Sequence, residues 1–410
     1  MIKPAQDNCF GSRLSTLFNP STLNSSTFLL YFATKYIALM DNNNWFILSD
    51  TTQIDSPALL LYKDRVAYNI NLMLQIAGDA ERLIPHVKTY KMTELVQMQI
   101  MRGITRFKCA TIAEAEMTAK AGASTVVIAH QLVGPKIERW AQLVQAYPKV
   151  EFISLVDCAD AASAYQVVFS RFGLTANVLV DVNNAMDRSG HPVDDQLFPF
   201  YQSLFRYPYL RVLGLHVYDG NFRDADFAAR KAKSDQAFAG IKVLLEQIRA
   251  AGLPEPLVIA GGSPAQTVHT LREGVHISPG TCLVWDWGYG EGLPDQPFQW
   301  AGLVFTRVIS KPKAGYITVD LGHKAIAAEN PIDKRVKFLN LDNYCCVSQS
   351  EEHLVLEVAD WDNWKVGDVL YGVPYHICPT INLYEDAYVI QNGEWVDTWN
   401  VVARKRKIAI

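Results

Sequence analysis

The chain has 410 residues, 49% hydrophobic and 20% charged, with a formal net charge of −4. This is the balance of a soluble globular protein, and it offers no basic field to nucleic acid. The length exceeds one small core and suits a barrel of about 250 residues with a smaller second unit.

The N-terminus fits that plan worst. Residues 28–40, FLLYFATKYIALM, are apolar but interrupted by Lys35, and they are too few to span a bilayer. Only Lys3 and Arg13 supply a basic start, and Asn and Ser crowd the approach, unlike a secretory signal. Residues 1–45 therefore read as a disordered or mis-assigned extension, with Met40 as a natural start and no membrane partner. The seven cysteines are odd in number and form no CxxC pair. They argue for the reducing cytoplasm and against a disulfide framework.

From residue 57 to 290, short apolar or β-branched runs alternate with amphipathic stretches. The runs are 83–89, 106–110 (RFKCA), 125–129 (TVVIA), 152–156 (FISLV), 177–182 (NVLVDV), 211–217 (RVLGLHV), 257–261 (LVIAG) and 275–278. Between them, Ile112, Ala115 and Ala119 recur at helical spacing, and Thr111 with Glu114 reads as a capping box. Residues 238–251 form another helical pattern, closed by Gly252 and Pro254. Eight such units predict an α/β fold, a (β/α)8 TIM barrel with its chemistry at the C-terminal ends of the strands. After Trp300 the rhythm shortens to LVFTRVIS, GYITVDLG, HLVLEV, DVLYGV and DAYVIQ, with Asn392-Gly393 as a hairpin signal. These runs predict a smaller all-β domain over 300–410, joined by residues 46–62 with PALLLYK.

IPHVKTYK sets Lys88 at the end of the first run. A lysine there faces a pocket of limited solvent, where a neutral amine condenses with an aldehyde such as pyridoxal phosphate. The phosphate site of this fold usually follows strands seven and eight, where the sequence offers Gly261-Gly262-Ser263 and Pro279-Gly280-Thr281. Arg188, within DVNNAMDRSG, could hold a carboxylate or a phenolic oxygen in a bidentate way. His216 and Tyr218 share a face at the end of the sixth run, where an imidazole could lie against a planar ring. PYHICPT puts His376 and Cys378 on one side of a strand; imidazole with thiolate suits zinc and leaves positions for water or substrate. His353, in SEEHL, is a candidate for proton transfer or support. Each residue also has an ordinary reading: a solvated lysine, a salt-bridged arginine, a satisfied core histidine or cysteine.

IPHVKTYK, FKCATIAEAE, DRSG, LHVYDG, AGGSP, SPGT, SEEH and HICPT stand in the order found in the D-threonine aldolase and D-serine dehydratase family. The chain resembles that family over about residues 53–405. Its members are fold-type III pyridoxal-phosphate enzymes with an alanine racemase-like barrel. The resemblance implies that Lys88 holds the cofactor covalently, with Ser263, Gly280 and Thr281 near its phosphate and His216 stacked on its ring. Gly262 and Tyr218 are expected to contact the cofactor too. It further implies a divalent metal, zinc or manganese, at His376 and Cys378, and a homodimer. The implied reaction is cleavage of a D-β-hydroxy-α-amino acid to glycine and an aldehyde. The alternative is β-elimination to a 2-oxo acid and ammonia; racemisation and non-catalytic cofactor binding stand further off. Three positions depart from the pattern: Ile84 replaces the family's leading Arg, Tyr90 the His of KTHK, and Ser278-Pro279-Gly280 the RPG triplet of racemases. The last counts against simple racemisation. The HxC pair is a dehydratase trait, whereas the whole run of motifs is closer to the aldolases.

Overall fold

The computed structural model describes residues 44–410, so the apolar stretch 28–40 and almost all of the expected extension lie outside the described residues. Among the described residues no helix is long and apolar enough to cross a membrane.

The first strand, β1 (Ala58–Tyr62), belongs to an antiparallel sheet and is followed by the helix Lys63–Ala77. A parallel sheet then forms in strict chain order from β2 (Arg106–Cys109), β3 (Thr125–Ile128), β4 (Glu151–Val156), β5 (Ala176–Asn183), β6 (Leu210–Tyr218), β7 (Leu257–Ala260) and β8 (Val275–Ile277). Helices alternate with these strands, as the spacing predicts. The first expected run splits in two. Residues 83–86 are extended and close the ring, while Val87–Thr89 is a 3-10 turn. Ile84 N donates to Ile277 O (2.9 Å), His86 N to Pro279 O (2.7 Å), and Lys108 N to Pro85 O (2.8 Å). Lys88 therefore stands on the turn just past the closing strand.

Side-chain alternation decides what fills the barrel. Phe107, Cys109, Val126, Ile128, Val178 and Val180 face outward and pack with the helices. Ile84, Val127, Ile153, Leu155, Leu179 and Ile259 face inward as a small apolar plug. Two residues further along, the inward positions become polar at His86 and Asp181, level with Lys108 and His216. The plug thus gives way to a charged floor at the C-terminal mouth.

The second sheet adds β9 (Gly302–Lys313), β10 (Tyr316–Val319), β11 (Val336–Phe338), β12 (Tyr344–Gln349), β13 (Leu354–Val358), β14 (Val369–Pro374), β15 (Asp386–Gln391) and β16 (Glu394–Asn400). Its main order is β12-β13-β10-β9-β1-β15-β16, with β14 between β9 and β11. Asn392 (φ 52°) and Gly393 (φ 78°) turn β15 into β16, as the Asn-Gly pair predicts. The sequence reading omits β11, β12 and β16. β12 and β16 are edge strands with mostly exposed or half-buried side chains, so they carry no apolar run.

Two local expectations are corrected. The helix expected over 238–251 begins earlier, at Phe227, where Asp226 accepts a hydrogen bond from Ala229 N; its first turns are charged and hide the period. At Ile112–Lys120, Thr111 Oγ1 accepts from Glu114 N as a capping box requires. Glu114 does not reach back to Thr111. Its Oε2 accepts from Ala110 N (2.6 Å) and its Oε1 from Lys91 Nζ (2.5 Å). A charged donor on the Lys88 side outcompetes a plain amide. The buried Glu114 carboxylate thereby ties the segment after Lys88 to the end of β2. Glu114→Ala should lower stability by about 3 kcal/mol, since it strands Lys91 in a largely buried position; urea unfolding of the two proteins measures the difference.

Candidate active site

Lys88 lies half-buried on its turn, and its amide donates to His86 Nδ1 at 3.3 Å. Beside it, past β8, Gly280 N and Thr281 N both donate to Ser263 Oγ, at 3.2 and 3.1 Å. Two successive amides that converge on one oxygen are a ready cradle for a phosphate oxygen. Gly280 is required there, because a Cβ would stand 2.8 Å from His86 O. Gly262 similarly leaves room for the Tyr218 ring, whose nearest carbon would lie 3.0 Å from an added Cβ.

His216 is buried on β6 and donates from Nδ1 to Asp181 Oδ1 at 2.7 Å on neighbouring β5. Its Nε2 then faces the ammonium of Lys108 at 3.4 Å. Burial and the adjacent Lys108 charge hold His216 below the usual histidine range, so the ring is neutral. His86 is pushed well below that range by burial and by Lys88 and Lys108. The Tyr218 ring stands 5.5 Å from Lys108 Nζ and 4.7 Å from the guanidinium of Arg188, which is exposed. Lys88, Lys108 and Arg188 thus surround one small space with positive charge. That charge, together with the converging amides, suits a dianionic phosphate, an ionised ring oxygen and a carboxylate. The residues fit pyridoxal phosphate.

The His376–Cys378 pair forms, but not on a strand as expected. β14 ends at Pro374, His376 precedes the short helix Ile377–Ile381, and Cys378 lies in its first turn. Buried Asp286 caps that turn by accepting from Ile377 N at 3.2 Å, and burial raises its own carboxyl to about 6. Cys378 Sγ packs 3.2 Å from Thr89 Oγ1 and 3.4 Å from Thr281 Oγ1, which brings the β-sheet unit onto the barrel mouth beside Lys88. Burial alone would raise the Cys378 thiol, yet the His376 hydrogen bond brings it below the usual thiol range. Burial likewise opposes charging of His376, but Cys378 and the Glu329 carboxylate, 2.5 Å from Nδ1, raise it to about 9. Glu329 fixes the ring and leaves Nε2 for a metal, the usual carboxylate–histidine arrangement. Among the described residues no group of three or more His, Cys, Asp or Glu is arranged to hold a metal. A metal here would take its remaining ligands from solvent or substrate.

Within one chain His353 is not brought together with these residues; it is exposed at the turn joining β12 and β13. Three pocket residues escape the sequence reading: Lys108, Asp181 as the partner of His216, and Glu329. The first two carried a signal. Phe107 and Cys109 face outward, so Lys108 must face the barrel interior, and Asp181 follows inward Leu179 by two. Glu329 lies in an irregular segment with no period to read.

In the metal-free protein, thiolate absorbance assigned to Cys378 by difference from Cys378→Ser should appear at lower pH than for an ordinary thiol. His376→Gln removes the facing cation and should move that midpoint upward; an unmoved midpoint would contradict the pairing.

The alanine racemase N-terminal domain model matches residues 62–286, and a putative serine dehydratase domain model matches residues 301–390. A 3-hydroxy-D-aspartate aldolase of Paracoccus denitrificans (strain Pd 1222) is 28% identical over 87% of this chain and 93% of its own length. A D-threonine aldolase of an Arthrobacter species is 27% identical over 86% and 93%. The D-threonine aldolase structure from Filomicrobium marinum superposes with a TM-score of 0.79 at 25% identity, covering 86% of this chain and 95% of that one. The D-threo-3-hydroxyaspartate dehydratase from Delftia sp. HT23 shares the fold, with a TM-score of 0.74 at 24% identity over 85% and 97%.

Proposed function

The chain belongs to the alanine racemase N-terminal-domain family, and from that premise we propose that it is a pyridoxal-phosphate-dependent lyase of D-β-hydroxy-α-amino acids, cleaving them to glycine and an aldehyde. The observation that carries the reading is the contact of Cys378 with Thr89, the residue next to Lys88. It supports reading His376 and Cys378 as a two-ligand metal pair beside the amine expected to hold the cofactor, an arrangement with no use in simple racemisation.

The cofactor, when bound, supplies an electron sink conjugated to the substrate Cα. Lys88 would hold it covalently, and its amine, when free, would serve as a base toward the substrate. The Ser263 hydroxyl and the amides of Gly280 and Thr281 hold the phosphate. His216, fixed by Asp181, gives the ring a neutral flat neighbour. Arg188, exposed at the mouth, is placed to take the substrate carboxylate. His376 Nε2 and Cys378 Sγ would hold zinc or manganese, which polarises a hydroxyl as a Lewis acid. A homodimer in the cytoplasm completes the reading; the six described cysteines, all free, accord with a reducing compartment.

Elimination to a 2-oxo acid and ammonia is the second reading, favoured by the thiol at Cys378. The two differ in which bond at Cα breaks. Proton NMR of the products from D-threonine, with cofactor and zinc or manganese, separates them. Glycine with acetaldehyde is expected; 2-oxobutanoate with ammonia would establish the dehydratase instead. Lys88→Ala should cut turnover by about a thousandfold or more and abolish the visible absorption of covalently held cofactor.

A further inference from the structure

Lys108 has no part in the reaction just described, yet it occupies the floor of the same pocket. Its side chain is 1% exposed. Lysines so buried are ordinarily paired with a carboxylate. Here the hydrogen bond that Nζ makes is to a neutral acceptor, His216 Nε2 at 3.4 Å. Neither nearby carboxylate is hydrogen-bonded to it. Asp181 accepts from His216 Nδ1 (2.7 Å) and Ser189 Oγ (3.0 Å). Asp219 accepts at Oδ2 from His269 Nε2 (2.8 Å) and Ser234 Oγ (3.1 Å), and its buried Oδ1 makes no hydrogen bond, to Lys108 or to any other group. The other charged or titratable neighbours are Lys88, Arg188, His86 and Tyr218, whose ring stands 5.5 Å from Nζ. Burial, then Lys88, brings Lys108 down to about 7.

An ammonium with three donors, one of them on an imidazole, awaits an anion that arrives with a ligand. The phosphate belongs on the other side of Lys88, at Ser263, Gly280 and Thr281 beyond β7 and β8. Lys108 instead lies on β2, bridged to the closing segment at His86, two residues before Lys88. In pyridoxal phosphate the ring oxygen is ortho to the aldehyde carbon, so a cofactor joined to Lys88 brings that oxygen to Lys88's own neighbours. We propose that Lys108 is a cofactor-binding residue whose ammonium pairs with the ionised ring oxygen of pyridoxal phosphate. The inference rests on the reading that Lys88 carries the cofactor.

The test compares dissociation constants of pyridoxal phosphate and its 3-O-methyl ether for the cofactor-free wild type, Lys108→Met and Lys108→Arg. Met replaces a buried charge with similar volume, a change that folded proteins commonly accept. Pyridoxal phosphate should bind Lys108→Met about 10- to 100-fold more weakly, the loss of one charge-assisted hydrogen bond. The ether, whose ring oxygen cannot ionise, should bind wild type and Lys108→Met alike, and Lys108→Arg should restore part of the lost affinity for the parent cofactor. Equal loss for both ligands, or no loss for either, would overturn the assignment. A wild type that binds the parent cofactor nowhere would instead sink the lyase reading, and this inference with it.

Discussion

Closure of the barrel by residues 83–86 is the constraint on which the pocket depends. Three backbone hydrogen bonds insert this short segment between β8 and β2. Without it the parallel sheet would be an open arc with two bare edges. With it, the chain must turn at Val87–Thr89, and Lys88 is delivered to the mouth between Gly280 on one side and Lys108 on the other. Proline at 85 suits the task. It keeps Ile84 extended, and its carbonyl, which needs no amide of its own residue, accepts from Lys108 N. Glu114 then fixes the far side of the turn through Lys91.

The charge balance of the mouth follows from the layering inside the barrel. An apolar plug from Ile84 to Ile259 excludes water from below, so the polar layer above it is solvated only from the mouth. Each buried ionisable group there must therefore be paired or neutral. His216 and His86 take the neutral course, Asp181 takes hydrogen bonds, and the lysines repel one another. The imbalance is positive. An anionic ligand offsets it, so the pocket is electrostatically complete only when filled.

Much of this was legible in the sequence because barrel strands and their ends announce themselves. Every parallel strand falls on an expected run, and Lys88, His216, Ser263, Gly280 and Thr281 come together from four different segments at one mouth. The order of motifs carried the family. What stayed hidden depended on direction rather than on residue type. Lys108 reads as one more residue in RFKCA until its neighbours are known to face the helices. His376 and Cys378 were paired through a strand geometry that does not exist; a helix start brings them together instead. Edge strands such as β16, exposed at six of its seven residues, have no apolar period to find.

The two sheets are joined in a way that bears on the site. β1 precedes the barrel in the chain but lies between β9 and β15, both from the C-terminal part. Its Tyr62 N donates to Ala301 O at 2.8 Å, and Asn69 Nδ2 in the next helix donates to the carbonyls of Leu283 and Gln299. The antiparallel sheet is therefore gripped by the start of the barrel as well as by its end, and such double attachment restricts relative sliding. That restraint matters because Cys378 reaches the mouth from one sheet while Lys88 and Thr281 reach it from the other. A slip of a few tenths of an ångström at their contacts would open the 3.2 Å approach of Cys378 to Thr89. β1, remote from the mouth, thus helps keep His376 and Cys378 in register with Lys88.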